Sequence, residues 1–222
     1  MGEKRAKQFL DLDGAPLLAL TLRPFESCHA VNAVVLVVPS GAVEYCRKEI
    51  VKKFKLKKIK NVVPGGDRRQ DSVRLGLEAA GDEYGLVLIH DGARPLIDEA
   101  LIERVIETAK KHRAVITGMP AKETVKEVNH LIEVEKTHDR RRIWLVQTPQ
   151  AYRREDIITA HQRALEEKWG EVTDDSLLIE RLGIPVKVIE GSEKNIKVTT
   201  PYDFELARIL LGLDPGSWSD PK

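Results

Sequence analysis

The chain has 222 residues, carries 36 Lys+Arg against 35 Asp+Glu for a formal charge of +1, and is 42% hydrophobic. That length and apolar content predict one folded domain with a sizeable core and exclude disorder for most of the chain. A near-neutral balance gives no general attraction for nucleic acid or an anionic membrane, so the bulk numbers favour small-molecule chemistry.

The longest strongly apolar stretch, Ala33 to Val38, has six residues, against the roughly 20 that cross a bilayer. The opening MGEKRAKQFL places charges where a secretory peptide needs an apolar run. A cytoplasmic protein with no membrane partner is expected. Cys28 and Cys46 form neither a disulfide framework nor a metal knuckle and are read as free thiols.

In chain order, short apolar runs alternate with amphipathic segments. Strands are predicted at Ala33–Val38, Lys58–Val63, Leu86–Ile89, Ala114–Thr117, Trp144–Gln147 and Val186–Ile189; several lack period-2 alternation, as strands covered on both faces do. Helices are predicted at Pro16–Pro24, Val43–Phe54, Asp71–Ala80, Asp98–His112, Arg154–Glu167, Asp174–Leu182 and Pro201–Leu211, the last with Thr200 as N-cap and Pro201 at its first position. This rhythm predicts an α/β, Rossmann-like fold with a mostly parallel sheet and helices on both faces. The charged segment Ala121–Arg142 breaks the rhythm and reads as a β-hairpin turning at Asn129-His130, a protruding arm that needs something to pack on, most simply a second copy of the chain. The expected organisation is one domain over residues 1–222 with 121–142 as an arm subdomain and a frayed tail from Asp214.

Ligands in open α/β sheets sit beyond the carboxyl ends of the strands. After Leu86–Ile89 comes His90-Asp91-Gly92-Ala93-Arg94-Pro95. Asp91 there is suited to a magnesium ion that completes its shell with water and phosphates, and equally to capping the next helix or pairing with Arg94. After Val63 comes Pro64-Gly65-Gly66-Asp67-Arg68-Arg69-Gln70-Asp71-Ser72, a glycine turn opening a helix. It fits a nucleotide cradle or an ordinary capped turn, and it is neither a Walker loop nor a G-x-G-x-x-G fingerprint. Lys7, Thr124, Arg140, Thr148, Thr173 and Lys197 lie in or beside predicted loops and strand ends; His90 reads as structural. Zinc hydrolysis and covalent acyl transfer have no motif here. The basic stretch Lys52–Lys60 lacks stacking aromatics beyond Phe54, so nucleic acid is not expected as a partner.

The strings KQFLDLDGAPLLALTL (Lys7–Leu22), VVPGGDRRQDSVRLGL (Val62–Leu77), LIHDGARPLI (Leu88–Ile97), HDRRRIWLVQTPQAY (His138–Tyr152), VTDDSLLIERLG (Val172–Gly183) and EGSEKNIKVTTPYDFELA (Glu190–Ala207) resemble, in order and across nearly the whole chain, the 2-C-methyl-D-erythritol 4-phosphate cytidylyltransferase family. The resemblance implies transfer of CMP from CTP to methylerythritol phosphate in non-mevalonate isoprenoid synthesis, with Mg²⁺ or another divalent cation, in a homodimer clasped by the arm. It assigns Lys7 to the triphosphate and the transition state, Gly66, Asp67, Ser72 and Gly92 to the nucleotide, and Asp91 to the metal and nucleotide. Arg94, Thr124, Thr148 and Thr173 fall to the acceptor, Arg140 to the acceptor across from the partner's arm, and Lys197 to both substrates, with Lys7, Arg140 and Lys197 as catalytic cations. Acceptor-side residues alone separate this from a cytidylyltransferase for another polyol phosphate, such as ribitol 5-phosphate; a non-catalytic nucleotide-binding protein would have no need of the acceptor clamp. One part of the family pattern has no counterpart, a first β-strand leading into a glycine-rich A-A-G-x-G-x-R-M loop. Either the protein starts upstream of Met1, which the otherwise intact site favours, or the chain is a real truncation; in both cases the 222-residue form is expected to bind CTP poorly, turn over slowly and have reduced stability.

Overall fold

A computed structural model describes residues 7–12 and 14–212; the tail expected to fray from Asp214 and the first six residues lie outside them. Helix α1 (Leu17–Ser27) leads to strand β1 (Val34–Val38), and a turn of α-helix α2 (Val43–Tyr45) runs into a π-helix, Cys46–Lys52. Strand β2 (Ile59–Pro64), α3 (Arg69–Ala79), β3 (Leu86–Ile89), α4 (Glu99–Ala109) and β4 (Ala114–Pro120) follow. Next come β5 (Lys126–Val128), β6 (Val134–Thr137), β7 (Trp144–Arg153), α5 (Arg154–Glu166), α6 (Ser176–Arg181), β8 (Val186–Glu190) and α7 (Pro201–Leu210).

Every predicted strand and helix is present, with three informative differences. Helix α1 continues through Pro24 to Ser27, because Phe25 and Cys28 are buried in the core and the Cys28 N–H still reaches the Pro24 carbonyl at 3.0 Å; packing outweighs the hydrogen bond that proline forfeits. The predicted Val43–Phe54 helix takes wide π-type turns over most of its length, with Cys46 and Ile50 fully buried. Strand β7 does not stop at Gln147. It bulges at Thr148-Pro149, where the register with β4 jumps from Thr117 opposite Gln147 to Ile116 opposite Gln150, and it continues to Arg153.

The strand order is β3-β7-β4-β8, with β7 antiparallel to both its neighbours and β4 parallel to β8; β1 and β2 form a separate parallel pair. The two pieces share their helices. On one face, α1 puts Leu18, Ala19 and Leu22 against Leu36 and Val38 of β1, and Phe25 into the cluster of Leu101, Ile102 and Val105 from α4 with Leu86 and Leu88 of β3. On the other, α3 brings Gly76 against Val37 of β1, while Leu77 joins Ile157, Ala160, Leu178 and Ile179 beneath Val87 and Ile89 of β3. The alternation of Leu86 and Leu88 against Val87 and Ile89 is the period-2 signature of a strand covered on both sides. No ladder joins β1 to β3 among the described residues, so two strand edges flank the division.

Helix ends follow from their caps. Asp98 accepts from the Leu101 N–H at 2.7 Å at the start of α4. Thr200 and Asp203 form a full capping box at the start of α7, and bonds from Thr199 and Thr200 hold the Asp203 carboxyl down at about 2. The segment 121–142 is the expected hairpin: β5 and β6 pair antiparallel, and Asn129 Oδ1 accepts from the N–H groups of Leu131 and Glu133 to close the turn. Both cysteines are buried free thiols, and burial raises the Cys46 thiol to about 11. No described helix is long and apolar enough to cross a membrane.

Candidate active site

The loop after β3 carries the densest group of charges. Asp91 Oδ2 lies 3.1 Å from Lys197 Nζ and 3.4 Å from Arg94 Nε, and its Oδ1 lies 3.6 Å from Arg69 Nε. Each partner comes from a different place: Arg94 from the same turn, Arg69 from the first residue of α3, Lys197 from the segment between β8 and α7. Burial works against a charge on Asp91, but Lys197, Arg69 and Arg94 outweigh it and hold the carboxyl below its ordinary range. Arg94 is itself buried and donates from Nη1 to the Asn195 carbonyl at 2.7 Å; burial lowers its pKa, against the pull of Asp91.

The bulge in β7 places Thr148 just past the end of β3. Its hydroxyl accepts from the Asp91 N–H at 3.0 Å and meets His90 Nδ1 at 3.0 Å, while its carbonyl accepts from Asn195 Nδ2 at 2.8 Å. Burial takes His90 down to about 4, so the ring is neutral near pH 7. Thr21 Oγ1, from α1, donates to the Gly92 carbonyl at 3.2 Å, and a Cβ on Gly92 would stand 3.1 Å from Leu18. Asp91 and Gly92 are therefore fixed by β7 on one side and α1 on the other.

The glycine turn after β2 is equally tight. Gly65 donates to the Val38 carbonyl at 2.8 Å, Gly66 donates to Ser72 Oγ at 3.1 Å, and a Cβ on Gly66 would stand 2.5 Å from Asp71 Cβ. Only glycine permits that approach. Asp67 is exposed at the turn, and Arg68 folds back on Asp71 with two 2.8 Å bonds. The turn leads into α3, whose N–H groups and dipole favour an anion.

The structure thus brings together Asp91, Gly92, Arg94, Thr148 and Lys197, with Gly66 in the turn that leads to Arg69 and Ser72 in the first turn of α3 beyond it. Thr173 is exposed two residues before the buried Asp175, which binds Arg69. Lys7 is exposed in the 3-10 turn Lys7–Phe9, held by Phe9 edge-on against Tyr45 with centroids 5.2 Å apart. Thr124 and Arg140 are exposed at the base of the arm, and Arg140 donates to the Lys122 carbonyl; neither has a bond to the Asp91 group within this chain.

Three residues not singled out from the sequence are built into the site. Arg69 Nη1 bonds Asp175 Oδ2 at 2.6 Å, and Asp175, wholly buried, has His161 Nε2 3.2 Å from its other oxygen. Burial opposes the charge on Arg69, but Asp175 prevails and its pKa is raised. Asn195 binds two loops at once through its carbonyl and amide. The donor set at Asp91, a single recessed carboxylate with cations around it, suits a divalent ion that arrives with a polyphosphate and takes its remaining ligands from phosphate and water. The described residues gather three candidate ligands only at Cys28, Glu99 and Glu103, elsewhere in the fold.

A mostly one-directional sheet with a glycine turn opening a helix, and a carboxylate amid lysine and arginine at the neighbouring strand end, defines an α/β nucleotidyltransferase. The family model for 2-C-methyl-D-erythritol 4-phosphate cytidylyltransferase matches residues 1–212, and the chain belongs to that family. It is 43% identical over 212 residues to the cytidylyltransferase of that name from Alkaliphilus metalliredigens, covering 95% of this chain and 87% of the relative. It is 44% identical over 213 residues to that of Geotalea uraniireducens, covering 95% and 91%. The solved 4-diphosphocytidyl-2C-methyl-D-erythritol synthase of Anaerococcus prevotii superposes with a TM-score of 0.86 at 32% identity, over 95% of this chain and 92% of that one. The Thermus thermophilus cytidylyltransferase superposes with a TM-score of 0.78 at 33% identity, over 93% and 94%.

Proposed function

We propose that this chain transfers CMP from CTP to 2-C-methyl-D-erythritol 4-phosphate, releasing pyrophosphate and forming 4-diphosphocytidyl-2-C-methyl-D-erythritol for isoprenoid precursor synthesis. The observation that carries it is the meeting of Asp91, Lys197 and Arg94 beside a glycine turn that admits a nucleotide. An acceptor phosphate oxygen attacks the α-phosphorus of CTP in line with the departing pyrophosphate, and negative charge gathers throughout. The nucleophile is already anionic, so the work is positioning and neutralisation rather than proton removal.

Gly66, Asp67, Ser72 and Gly92 hold the nucleotide. Asp91 would hold Mg²⁺ or another divalent cation, which would supply charge neutralisation at the phosphates. Lys197 serves both substrates, Lys7 the triphosphate and transition state, and Arg94, Thr124, Thr148 and Thr173 the acceptor. Arg94 and Thr148, buried as they are, shape that side of the site through the loops they brace. The exposed Leu131, Ile132 and Val134 of the arm, 60–82% accessible, support a homodimer in which Arg140 acts in the partner's site. The protein is one domain with the arm as its subdomain, works in the cytoplasm, and has neither nucleic acid nor membrane as partner.

The test is a pyrophosphate-release assay with CTP, Mg²⁺ and methylerythritol phosphate, with ribitol 5-phosphate as competing acceptor, run on this chain and on a form extended upstream of Met1. Release with methylerythritol phosphate in either form supports the reading. Preference for ribitol phosphate changes the acceptor, and CTP binding with no release in both forms refutes catalysis.

A further inference from the structure

Arg69 stands between two carboxylates and favours the one farther along the chain. Its Nη1 is 2.6 Å from Asp175 Oδ2, whereas its Nε is 3.6 Å from Asp91 Oδ1. Asp175 is wholly buried, and the 2% exposed His161 of α5 fills the space at its other oxygen, 3.2 Å away. A buried carboxylate is expensive unless paired, so Asp175 must keep its guanidinium. Around it, Tyr152 donates to Gln150 at 2.7 Å and Gln150 to Asp174 at 3.0 Å, which engages the second carboxylate of the pair elsewhere.

The competition matters because Asp91 already faces Lys197 and Arg94. Lys197, exposed between the buried Asn195 and Val198, can swing its ammonium to a phosphate when substrate enters; a guanidinium closed on Asp91 with two parallel bonds would neutralise it and occupy its oxygens.

We propose that Asp175, backed by His161, is a positioning residue that draws Arg69 away from Asp91 and so keeps that carboxylate open to a divalent cation carried by the nucleotide. The proposal rests on the assignment of Asp91 as the cation ligand, and the experiment separates the two. Binding of Mn²⁺, a paramagnetic probe for the divalent site, is followed by electron paramagnetic resonance with CTP present, in the native chain and in Asp91→Asn, Asp175→Asn, Arg69→Gln and the Asp175→Asn/Arg69→Gln double variant.

Asp175→Asn releases Arg69 onto Asp91 and weakens Mn²⁺ binding about tenfold, a coupling usual for charges that share a partner. The double variant, with the competing guanidinium gone, recovers to within about twofold of the native chain. If protein-dependent Mn²⁺ binding survives Asp91→Asn unchanged, the assignment of Asp91 fails. If Asp91→Asn abolishes it but Asp175→Asn binds as the native chain does, or the double variant stays weak, the positioning role is overturned. Should Asp175→Asn not fold, Arg69→Gln alone decides: binding equal to or tighter than native supports the proposal, and weaker binding overturns it.

Discussion

The β1–β2 pair and the β3-β7-β4-β8 sheet are built from similar apolar runs, yet they divide the labour unequally. The four-stranded piece supplies the charged groups, Asp91 and Arg94 after β3 and Lys197 beyond β8, together with the hydroxyl of Thr148 in β7, on a core packed from both faces. The two-stranded piece supplies only the glycine turn after β2. The helices α1 and α3 span the division with apolar side chains, and Arg69 adds an ionic tie from α3 to Asp91 and Asp175. The site is thus assembled where two unequally bonded bodies meet, and the glycine turn proposed to hold the nucleotide rests on the less bonded one.

The hardest test of that division is chemical. Asp91→Asn removes the carboxylate that Lys197, Arg94 and Arg69 all face and is expected to lower the rate of pyrophosphate release by about 10²–10³-fold, the scale for losing a preorganised electrostatic group. An unchanged rate would move the chemistry away from the end of β3. Next in size, Ile157→Ala in the core below the larger sheet should cost about 3–4 kcal/mol by chemical denaturation. Leu36→Ala in β1 should cost less, near 2 kcal/mol, because the piece it supports has fewer strands to collapse; equal costs would mean that the division has no energetic weight.

His90 sharpens the comparison through pH. Its folded pKa of about 4 lies below the ordinary 6.5, so the unfolded chain binds the extra proton between those values. Stability therefore rises with pH across that window and is flat in this respect above it, with a total of up to about 3 kcal/mol. Unfolding free energies measured from pH 4 to 7 should carry this slope, and His90→Gln should lose it. Thr200→Ala, which breaks the capping box of α7, should cost about 1 kcal/mol with little change in rate. Smallest in energy but most direct, native-state hydrogen exchange should show β1 and β2 amides opening before those of β4 and β7.

Most of the fold could be read from the residues because its strands are short apolar runs separated by capped helices. The misread boundaries lie where a proline interrupts an apolar pattern, at Pro24 in α1 and Pro149 in β7, and in both places burial carries the element past the break. The antiparallel direction of β7 and the division beside β1 depend on pairings between distant segments that periodicity does not encode. Within the site, Asp91 and the glycine turn are legible since strand ends and glycines announce themselves. Arg69 is not. It sits beside Arg68 in an identical local setting, and only the fold reveals that Arg68 turns back on Asp71 three residues away while its neighbour reaches across 106 residues to Asp175. Asp175 is masked in the same way by Asp174, and Asn195 carries no motif at all.

Asn195 has a consequence for anyone altering acceptor preference. Its carbonyl takes the Arg94 guanidinium and its amide holds the Thr148 carbonyl, two residues before Lys197. These two contacts gear the bulge of β7 to the lysine segment, so a larger side chain at Thr148 that shifts the bulge also retunes where the lysine points. Under the proposed roles of Thr148 and Lys197, acceptor shape and the reach of the lysine are linked variables, and a redesigned pocket has to solve for them together.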